Sequence, residues 1–396
     1  MGKRVLLQIN ECLNFSTGKI AQSIGEVANQ QGWESLIAYS GRESIVTCKS
    51  KTVKIGSYLD SCLHFLKQRL FDNEGLNSSG PTRDLIKQID TIKPDIIHLH
   101  NIHDHWLNYK LLFQYLNNTN IQVVWTFHDC WAFTGHCMHF VTVGCKRWKS
   151  GCYNCPMKGQ YPKSFLDKSR RNWLLKRDLF AQNKNLHIVV VSNWLESFVK
   201  ESFFKDHDIR VFHNGIDLDL FKPCSQKTYD VVNILGVSNV WSKEKGLYDF
   251  YKLRELFPVA KYIITLIGLT KKQIDKLPSG IEGIERTESV QDLVSLYSQA
   301  NVLVNPTYAD SFPTINIEAL ACGTPVVTYR TGGSPEIIDD QTGVVVGQGD
   351  LVGLVEAINK AIQIQPGICR IRAETCFNKN DRFEDYIQLY NELLEK

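Results

Sequence analysis

Short runs of aliphatic and β-branched residues alternate with amphipathic segments along the whole chain. Continuous apolar runs between helical patterns predict parallel strands that are covered on both faces, because such strands present no polar side to water. The strand-like runs are Arg4–Asn10, Leu36–Tyr39, Asp95–His100, Val123–His128 and His187–Val191, then Val231–Val237, Tyr262–Gly268, Val302–Pro306 and Pro325–Tyr329. Two successive sets of this pattern predict an α/β fold with two doubly wound, Rossmann-like parallel-sheet domains.

The length supports this division, since 396 residues exceed the roughly 250–300 at which single cores stop growing. We predict an N-terminal domain over residues 1–212, with a cysteine-rich loop at 130–162, and a second domain over 213–380. The boundary falls where Asn214-Gly215 and Pro223 interrupt regular structure. Residues 381–396 carry apolar side chains at helical spacing and predict a closing helix.

The charge balance excludes some classes of partner and of location. Lys and Arg number 45 against 42 Asp and Glu, a net charge of +3, which is not the strong positive charge of a dedicated nucleic-acid binder. No stretch reaches the roughly 18 uninterrupted apolar residues of a spanning helix. Gln8, Asn10 and Glu11 interrupt the first apolar run, so a buried strand explains it better than a signal peptide. We therefore expect a cytoplasmic protein.

The junctions between strands and helices are the first places to look for a ligand, because open parallel sheets bind ligands beyond the carboxyl ends of their strands. After the first strand, Gly18 would let the backbone approach a ligand at the start of the next helix. An ordinary helix cap at Ser16 or Thr17 explains the same residues equally well.

The most informative segment runs from Tyr308 to Val327. It combines a carboxylate at Asp310, a helix expected to start at about Pro313, and a second carboxylate at Glu318. The free amides of Thr314 and Ile315 can hold a diphosphate, which the helix dipole favours. The two carboxylates can accept hydrogen bonds from sugar or ribose hydroxyls.

Four motifs in order give the chain a family resemblance. The pattern Asp-Ser-Phe-x5-Glu-Ala-Leu-Ala-Cys-Gly-x-Pro-Val-Val spans 310–327, and a Gly-Gly-x-x-Glu stretch lies at 332–336. Asn-Gly-Ile-Asp occupies 214–217, and Thr-Phe-His-Asp occupies 126–129. Together they resemble the retaining GT-B glycosyltransferases of the GT4 family (glycosyl transferases group 1), of the type that acts in bacterial polysaccharide synthesis.

The resemblance implies two Rossmann-like domains facing across a cleft, with the C-terminal helix crossing back to the first. It also implies transfer of a sugar, with retention of configuration, from a UDP- or GDP-sugar to a glycan or a lipid-linked saccharide. Glu318 would bind the ribose, Asp310 the transferred sugar and Lys245 the diphosphate, with His128 near the reacting sugar. The expected catalytic residues are thus His128, Asp310 and Lys245. Ser311 and Phe312 belong to the same donor motif, and no catalytic metal is expected.

Two departures from the family pattern bear on the donor. The first motif residue is Asp310 where the family usually has Glu, so its carboxylate reaches one methylene less far. Many members also carry an arginine shortly after the first strand of the second domain, and residues 235–242 contain none. Lys243 is the candidate for that second positive charge.

Five of the twelve cysteines crowd between residues 130 and 155. Cys137, Cys145, Cys152 and Cys155 have spacings that can wrap one tetrahedral zinc ion, which would order a loop lacking apolar periodicity. Buried thiols and a disulfide explain the cluster as well. If zinc is bound, the substitute ligands are Cys130, His136 and His139.

A basic stretch from Gly144 to Arg177 contains ten Lys or Arg, one Asp and interleaved aromatic residues. Such a stretch can attract an anionic membrane surface, an acidic glycan or a lipid diphosphate, or simply be solvated. Membrane contact would suit an enzyme that extends a lipid-linked saccharide at the inner face of the cytoplasmic membrane.

Other functions remain open from the sequence. A nucleotide-sugar epimerase or a phosphorylase could share the fold, although a pyridoxal-dependent phosphorylase would need a longer chain. A zinc-stabilised, non-enzymatic glycan-binding module would need no nucleotide sugar. A dinucleotide dehydrogenase is disfavoured because no G-x-G-x-x-G follows an early strand.

Overall fold

The computed structural model describes residues 3–42, 47–224 and 230–395, which divide into two compact units. The first unit extends to His213 and also includes the C-terminal residues from Arg382 onward. The second unit runs from Asn214 to Asp381. Each contains one parallel sheet, so the α/β class and the two doubly wound sheets predicted from the sequence are confirmed.

The sheet of the first unit has seven strands in the order β3-β2-β1-β4-β5-β6-β7. These are β1 (Val5–Ile9), β2 (Glu34–Ser40), β3 (Lys51–Ile55), β4 (Ile96–Leu99), β5 (Gln122–Phe127), β6 (Leu186–Val190) and β7 (Ile209–Val211). The order reverses at β1, which pairs with β2 on one side and β4 on the other. A reversal of this kind opens the crevice where ligands bind in such sheets.

The sheet of the second unit repeats the arrangement with six strands, in the order β10-β9-β8-β11-β12-β13. These are β8 (Val232–Val237), β9 (Tyr262–Ile267), β10 (Ile281–Ile284), β11 (Val302–Asn305), β12 (Val326–Tyr329) and β13 (Gly343–Val346). Its reversal lies at β8 and β11, where Ile234 is in register with Val302.

Helices connect and cover the strands of both sheets. Those of the first unit are α1 (Ser16–Gln30), α2 (Tyr58–Phe71), α3 (Ser79–Ile92), α4 (Tyr109–Leu116), α5 (Ser169–Phe180) and α6 (Asn193–Lys200). Those of the second are α7 (Leu247–Leu256), α8 (Lys271–Ile274), α9 (Val290–Gln299), α10 (Thr314–Ala321), α11 (Ser334–Ile337), α12 (Leu351–Ala361) and α13 (Pro366–Phe377). Among the described residues, no helix is both long and apolar enough to span a membrane.

The last helix, α14 (Lys379–Leu394), begins in the second unit and ends in the first. Its buried side chains, which include Phe383, Ile387 and Leu393, join one apolar cluster with Leu6 of β1 and Ile24 of α1. Burying apolar surface of this size is the main force that holds a helix on a sheet. The amphipathic spacing of the C-terminal residues therefore predicted both the helix and its buried face.

Some elements were not predicted. Strands β3, β7, β10 and β13 escaped detection because they are short and partly exposed, which leaves a weak apolar pattern. Helix α2 was also not predicted; its apolar side chains face solvent and its buried residues are polar. The loop from Trp131 to Pro162 is irregular as expected, with three short 3-10 turns at 131–133, 141–143 and 147–149.

Candidate active site

In the second unit, the loop after β11 leads into helix α10 beside the reversal of the sheet. The helix begins at Thr314, one position later than predicted, and Pro313 is the capping residue rather than the first helical one. No side chain caps this helix end. Its first amides, those of Thr314 and Ile315, have no partner within the helix and are suited to an anion.

Lys245 and Asp310 form an ion pair at this helix start. The Lys245 Nζ lies 2.8 Å from Asp310 Oδ2, and the two side chains are 36% and 24% exposed. The other carboxylate oxygen of Asp310 accepts a hydrogen bond from the Phe312 amide at 3.2 Å. The pair is therefore anchored on one side and open to a ligand on the other.

The backbone of the Lys245 turn is fixed to the loop after β11. The Tyr308 amide donates to the Glu244 carbonyl at 2.7 Å. Gly246 has φ +76°, and a Cβ there would lie 2.3 Å from the Pro306 carbonyl oxygen. Only glycine fits this close approach in a left-handed conformation, so Gly246 keeps Lys245 next to Asp310.

A second segment, Thr331–Ser334, closes over the Asp310 loop from the end of β12. The Gly333 amide donates to the Ser311 carbonyl at 3.0 Å. A Cβ on Gly332, which has φ +56°, would lie 1.5 Å from the Asp310 carbonyl oxygen. The Gly-Gly pair therefore packs against the main chain that carries Asp310, a role that the sequence motif did not reveal.

Glu318 lies on α10 and is held by a buried tyrosine of α9. The Tyr297 hydroxyl donates to Glu318 Oε2 at 2.8 Å. Burial, and then the negative charge of Glu318, raise the pKa of Tyr297 well above its ordinary value, so the hydroxyl stays protonated and remains a donor. Tyr297 was not predicted, and its position on α9 gave no sequence signal.

Three buried polar atoms near the start of α10 have no hydrogen-bond partner among the residues that the structure describes. They are Ser311 Oγ, Asn316 Nδ2 and Ser334 Oγ. Buried polar groups normally find a partner, so unpaired ones mark a strained, solvated or ligand-binding place. Ser311 was predicted from the motif, whereas Asn316 and Ser334 were missed although they lie within the same two motifs.

The remaining donor candidates occupy different positions. Phe312 is buried and its ring lies 6.1 Å from that of Phe377. Lys243 is exposed, and its carbonyl accepts from the Gly246 amide at 3.0 Å. Gly18 lies in the first unit, where a Cβ would come within 2.4 Å of the Leu13 carbonyl carbon. The close approach of the Leu13 main chain therefore explains the need for glycine at position 18 without a ligand.

The helix cap considered for the Gly18 region is not present. Helix α1 begins at Ser16, and its capping residue is Phe15, with no side-chain cap. Neither Ser16 nor Thr17 therefore caps the helix, so that alternative is wrong. The Thr17 hydroxyl instead accepts from Asn10 Nδ2 at 3.4 Å.

In the first unit, three histidines form a row at the ends of β4 and β5, which we call the histidine row: His98, His100 and His128. The rings of His98 and His100 lie 4.0 Å apart, and those of His100 and His128 are stacked at 5.4 Å. His98 is bonded on both sides, to the Thr126 hydroxyl at 2.8 Å and to the Tyr390 hydroxyl at 2.7 Å.

The histidine row is neutral near pH 7. Burial, and then the neighbouring imidazoles, hold the pKa of His98 and of His100 well below the ordinary value. Burial also lowers the pKa of His128 to about 4, against the opposing charge of Asp129. A neutral imidazole has one N–H and one lone pair, so the bonds along the row decide where each proton lies.

A glutamine at the far end sets these tautomers. Gln8 donates through Nε2 to the Ala21 carbonyl at 2.8 Å, so its Oε1 faces His100 Nε2, at 3.1 Å, as an acceptor. His100 Nε2 must then carry the proton, and its Nδ1 accepts from His128 Nε2 at 3.1 Å. The lone pair of His128 is therefore on Nδ1, where it can accept a hydrogen bond from a substrate hydroxyl.

A small pocket of about 190 Å³ lies beside His128 and Asp129. His103 Nε2 is 3.1 Å from Asp129 Oδ2. Burial lowers the pKa of His103, but the charge of Asp129 outweighs it and the net shift is upward. Burial raises the pKa of Asp129, but the charge of His103 and its hydrogen bond outweigh this effect and lower the pKa to about 2. His103 and Asp129 thus supply charge next to the neutral row.

The four predicted cysteines line one pocket, which we call the cysteine pocket: Cys137, Cys145, Cys152 and Cys155. His136 and Trp148 also line this pocket, which is open to solvent and has an empty volume of about 300 Å³. None of the twelve cysteines, all of which lie within the described residues, forms a disulfide. In the described parts of the chain, no three His, Cys, Asp or Glu residues are arranged to hold a metal ion. The structural zinc site therefore stays a prediction.

Two family descriptions match successive parts of the sequence. One described as "Glycosyl transferases group 1" matches residues 232–363, and one described as "Glycosyltransferase Family 4" matches residues 59–220. The chain is 25% identical to the putative colanic acid biosynthesis glycosyl transferase WcaC of Escherichia coli K12, over 94% of this chain and 96% of that protein.

Solved structures share the fold. A sucrose-phosphate synthase from Thermosynechococcus elongatus aligns with a TM-score of 0.76 at 18% identity, covering 99% of this chain and 100% of that one. Anabaena HepE, solved in complex with UDP, aligns with a TM-score of 0.65 at 13% identity, covering 98% and 100%. The two family matches therefore show that the chain belongs to the group 1 glycosyltransferases, family 4, and the solved structures show that it has the GT-B fold.

Proposed function

We propose that this glycosyltransferase moves a sugar from a UDP- or GDP-sugar to a glycan or lipid-linked saccharide, with retention of configuration, in the synthesis of a bacterial polysaccharide. The observation that carries the proposal is the Lys245–Asp310 pair at the uncapped start of α10. The relative named for colanic acid biosynthesis supports a role in polysaccharide synthesis, and a neighbour solved with UDP supports the class of donor.

The diphosphate leaving group needs positive charge, because breaking the bond between sugar and phosphate leaves negative charge on its oxygens. Lys245 and the amides of Thr314 and Ile315 supply that charge from fixed positions. When the donor binds, the Lys245 ammonium interacts with a phosphate oxygen, and its ion pair with Asp310 weakens. The Asp310 carboxylate then accepts from hydroxyls of the transferred sugar and stabilises positive charge that develops at the anomeric carbon.

Glu318 is assigned to the ribose. The Tyr297 hydroxyl fixes its carboxylate, so the orientation exists before the nucleotide arrives. Ser311 and Ser334 offer hydroxyls that lack partners within residues 3–42, 47–224 and 230–395 and would find them on the donor. A preformed arrangement of this kind lowers the entropy lost on binding.

His128 is assigned to the reacting sugars. Its Nδ1 lone pair can accept a hydrogen bond from a hydroxyl of donor or acceptor while the ring stays neutral. In a retaining reaction the leaving phosphate itself takes the proton of the acceptor hydroxyl, so His128 need only orient and not remove a proton.

The test is a binding and turnover panel of UDP-, GDP- and ADP-sugars with the full chain. Glu318→Ala should lose donor binding, whereas Glu356→Ala, an exposed acid of the same unit, should keep it. The anomeric configuration of the product, followed by NMR, tests retention. Equal donor binding by Glu318→Ala and the parent would refute the site, and release of a free sugar epimer without acceptor would indicate an epimerase.

A further inference from the structure

Helix α2 has its polar residues on the inside. The residues it buries are Ser61, His64 and Gln68. Its large apolar side chains are between 40% and 72% exposed: Leu59, Leu63, Phe65, Leu66, Leu70 and Phe71. A surface helix normally buries its apolar stripe. A contiguous exposed apolar face of this size marks a surface that meets a partner or a membrane.

Hydrogen bonds fix the helix in this orientation. His64 Nε2 accepts from the Gly75 amide at 3.2 Å, and its Nδ1 bonds the Ser78 hydroxyl at 2.8 Å. Gln68 donates through Nε2 to the Pro162 carbonyl at 3.0 Å. Rolling the helix to bury its leucines would break all three bonds and leave polar groups unpaired in the interior.

A second exposed segment extends the same face. Phe165 and Leu166 are 63% and 46% exposed. The Phe165 amide donates to the Arg69 carbonyl at 2.9 Å, so the segment is fixed to the end of α2. By contrast, exposed apolar residues of the second unit, such as Leu256, are scattered along its sequence.

Basic residues are interleaved with these apolar side chains. Lys67 and Lys163 are exposed, and Lys168 Nζ lies 5.6 Å from the centre of the Phe71 ring. The nearby acids are already engaged: Asp60 accepts from the Ser57 amide at 2.9 Å, and Asp167 accepts from the Cys155 amide at 2.6 Å. Apolar side chains with lysines between and beside them match the chemistry of an anionic lipid surface.

We propose that α2 and residues 163–168 form a surface that docks on an anionic lipid bilayer. A second copy of this chain fits the surface less well, because a two-fold contact would bring together two faces that both carry exposed lysines. The inference goes beyond the proposed transfer reaction and does not depend on it. It also differs from the broad contact suggested by the basic stretch at 144–177, since it centres on a helix outside that stretch.

The test is sedimentation of the full chain with large vesicles of phosphatidylcholine, either alone or with about 30% phosphatidylglycerol. The second mixture represents an anionic leaflet. We expect binding to the anionic vesicles that weakens as salt rises. The triple variant Leu59→Gln, Leu63→Gln, Leu66→Gln should lose at least about tenfold in binding, because burying these side chains supplies the apolar part. A matched control replaces Leu256, Val259 and Val352 with Gln and should bind like the parent.

A charge variant separates the electrostatic part. Lys67→Gln with Lys163→Gln should weaken binding to anionic vesicles by about fivefold for each lysine and flatten the salt dependence. Lys271→Gln with Lys272→Gln is the control. Circular dichroism and nucleotide-sugar binding, measured on every variant, report folding and donor binding separately. Absence of binding, or a triple variant that binds like the parent, overturns the proposal, as does dimerisation through this face without vesicle binding.

Discussion

The two units carry chemically opposite sites on the same kind of sheet. The candidate site of the second unit pairs fixed charges, Lys245 with Asp310, at a helix start. The histidine row of the first unit is buried and neutral, and its protons are arranged by hydrogen bonds that begin at Gln8. All eleven histidines of the chain lie at or before His213, so the second unit contains none.

This difference suggests a division of labour. A diphosphate is a permanent anion, and fixed positive charge and helix amides suit it at any ordinary pH. Sugar hydroxyls are neutral, and they need donors and acceptors in defined places rather than net charge. We therefore expect the second unit to respond to loss of charge and the first to respond to changes in protonation.

Removing the charge of the second unit should give the largest effect. Lys245→Met should lower kcat/KM by about 10²–10³-fold, because one preorganised donor to a developing anion contributes roughly that much. Steady-state kinetics with the donor found in the panel would measure it. Lys252→Met, an exposed lysine in α7 of the same unit, is the control and should change kcat/KM less than twofold. A near-normal kcat/KM for Lys245→Met would show that the site of the second unit does not depend on this fixed charge.

Acid should destabilise the first unit before the second. The pKa values of His64 and His128 are lowered to about 4, mainly by burial, so the unfolded chain binds more protons between pH 6.5 and 4. Their stabilising contribution is complete above pH 6.5. As the pH decreases from 6.5 to 4, the free energy of unfolding decreases by about 1.4 kcal/mol per pH unit for each such histidine.

Three other histidines oppose this trend and keep the loss moderate. The pKa values of His103, His105 and His136 are raised, in each case because nearby carboxylates outweigh burial. Hydrogen exchange followed by mass spectrometry at pH 7, 6 and 5, corrected for the intrinsic rate, would compare peptides from both sheets. Greater loss of protection in β11 and β12 than in β4 and β5 would contradict the expectation.

Breaking the bond at the end of the histidine row should have a smaller effect. Gln8→Met removes the acceptor that holds the proton on His100 Nε2, so His100 and His128 can exchange tautomers. We expect kcat to fall by about tenfold, a loss below that of a full acid–base group, while donor affinity is unchanged. Gln114→Met, on an exposed position of α4, is the control.

The tautomer itself can be observed. Nitrogen-15 shifts of the imidazoles should show His128 protonated on Nε2 in the parent and as a mixture in Gln8→Met. A loss of kcat without any change in the His128 shifts would mean that Gln8 acts through packing and not through the row.

The sequence predicted the second-unit site better than the row. Asp310, Ser311, Thr314 and Glu318 lie within nine consecutive residues of one loop and helix, so local spacing is enough to bring them together. The row depends on register: Gln8 of β1 is paired with His98 of β4 across the sheet, although ninety residues separate them. No local pattern encodes that pairing.

The fold shows the same limit. Strongly apolar strands such as β1 and β5 were predicted to within two residues, because burial on both faces leaves a clear pattern. Helix α2 was not predicted, and its orientation is the reverse of the usual one, with leucines outside and polar residues inside. Apolar periodicity can reveal that a helix has an apolar face, but it does not tell whether that face packs on a core or stays exposed.

The cysteine pocket provides the last and smallest test. A hydrogen bond from Cys137 lowers the pKa of Cys155 against the effect of burial, whereas burial raises the pKa of Cys152 to about 12. With free thiols, iodoacetamide at pH 7.5 should label Cys155 several-fold faster than Cys152, since thiolate is the reactive form. Cys137→Ala should slow that labelling and Cys145→Ala should not. If instead labelling requires a chelator and purified protein contains stoichiometric zinc, the pocket binds the predicted metal and the thiols are not free.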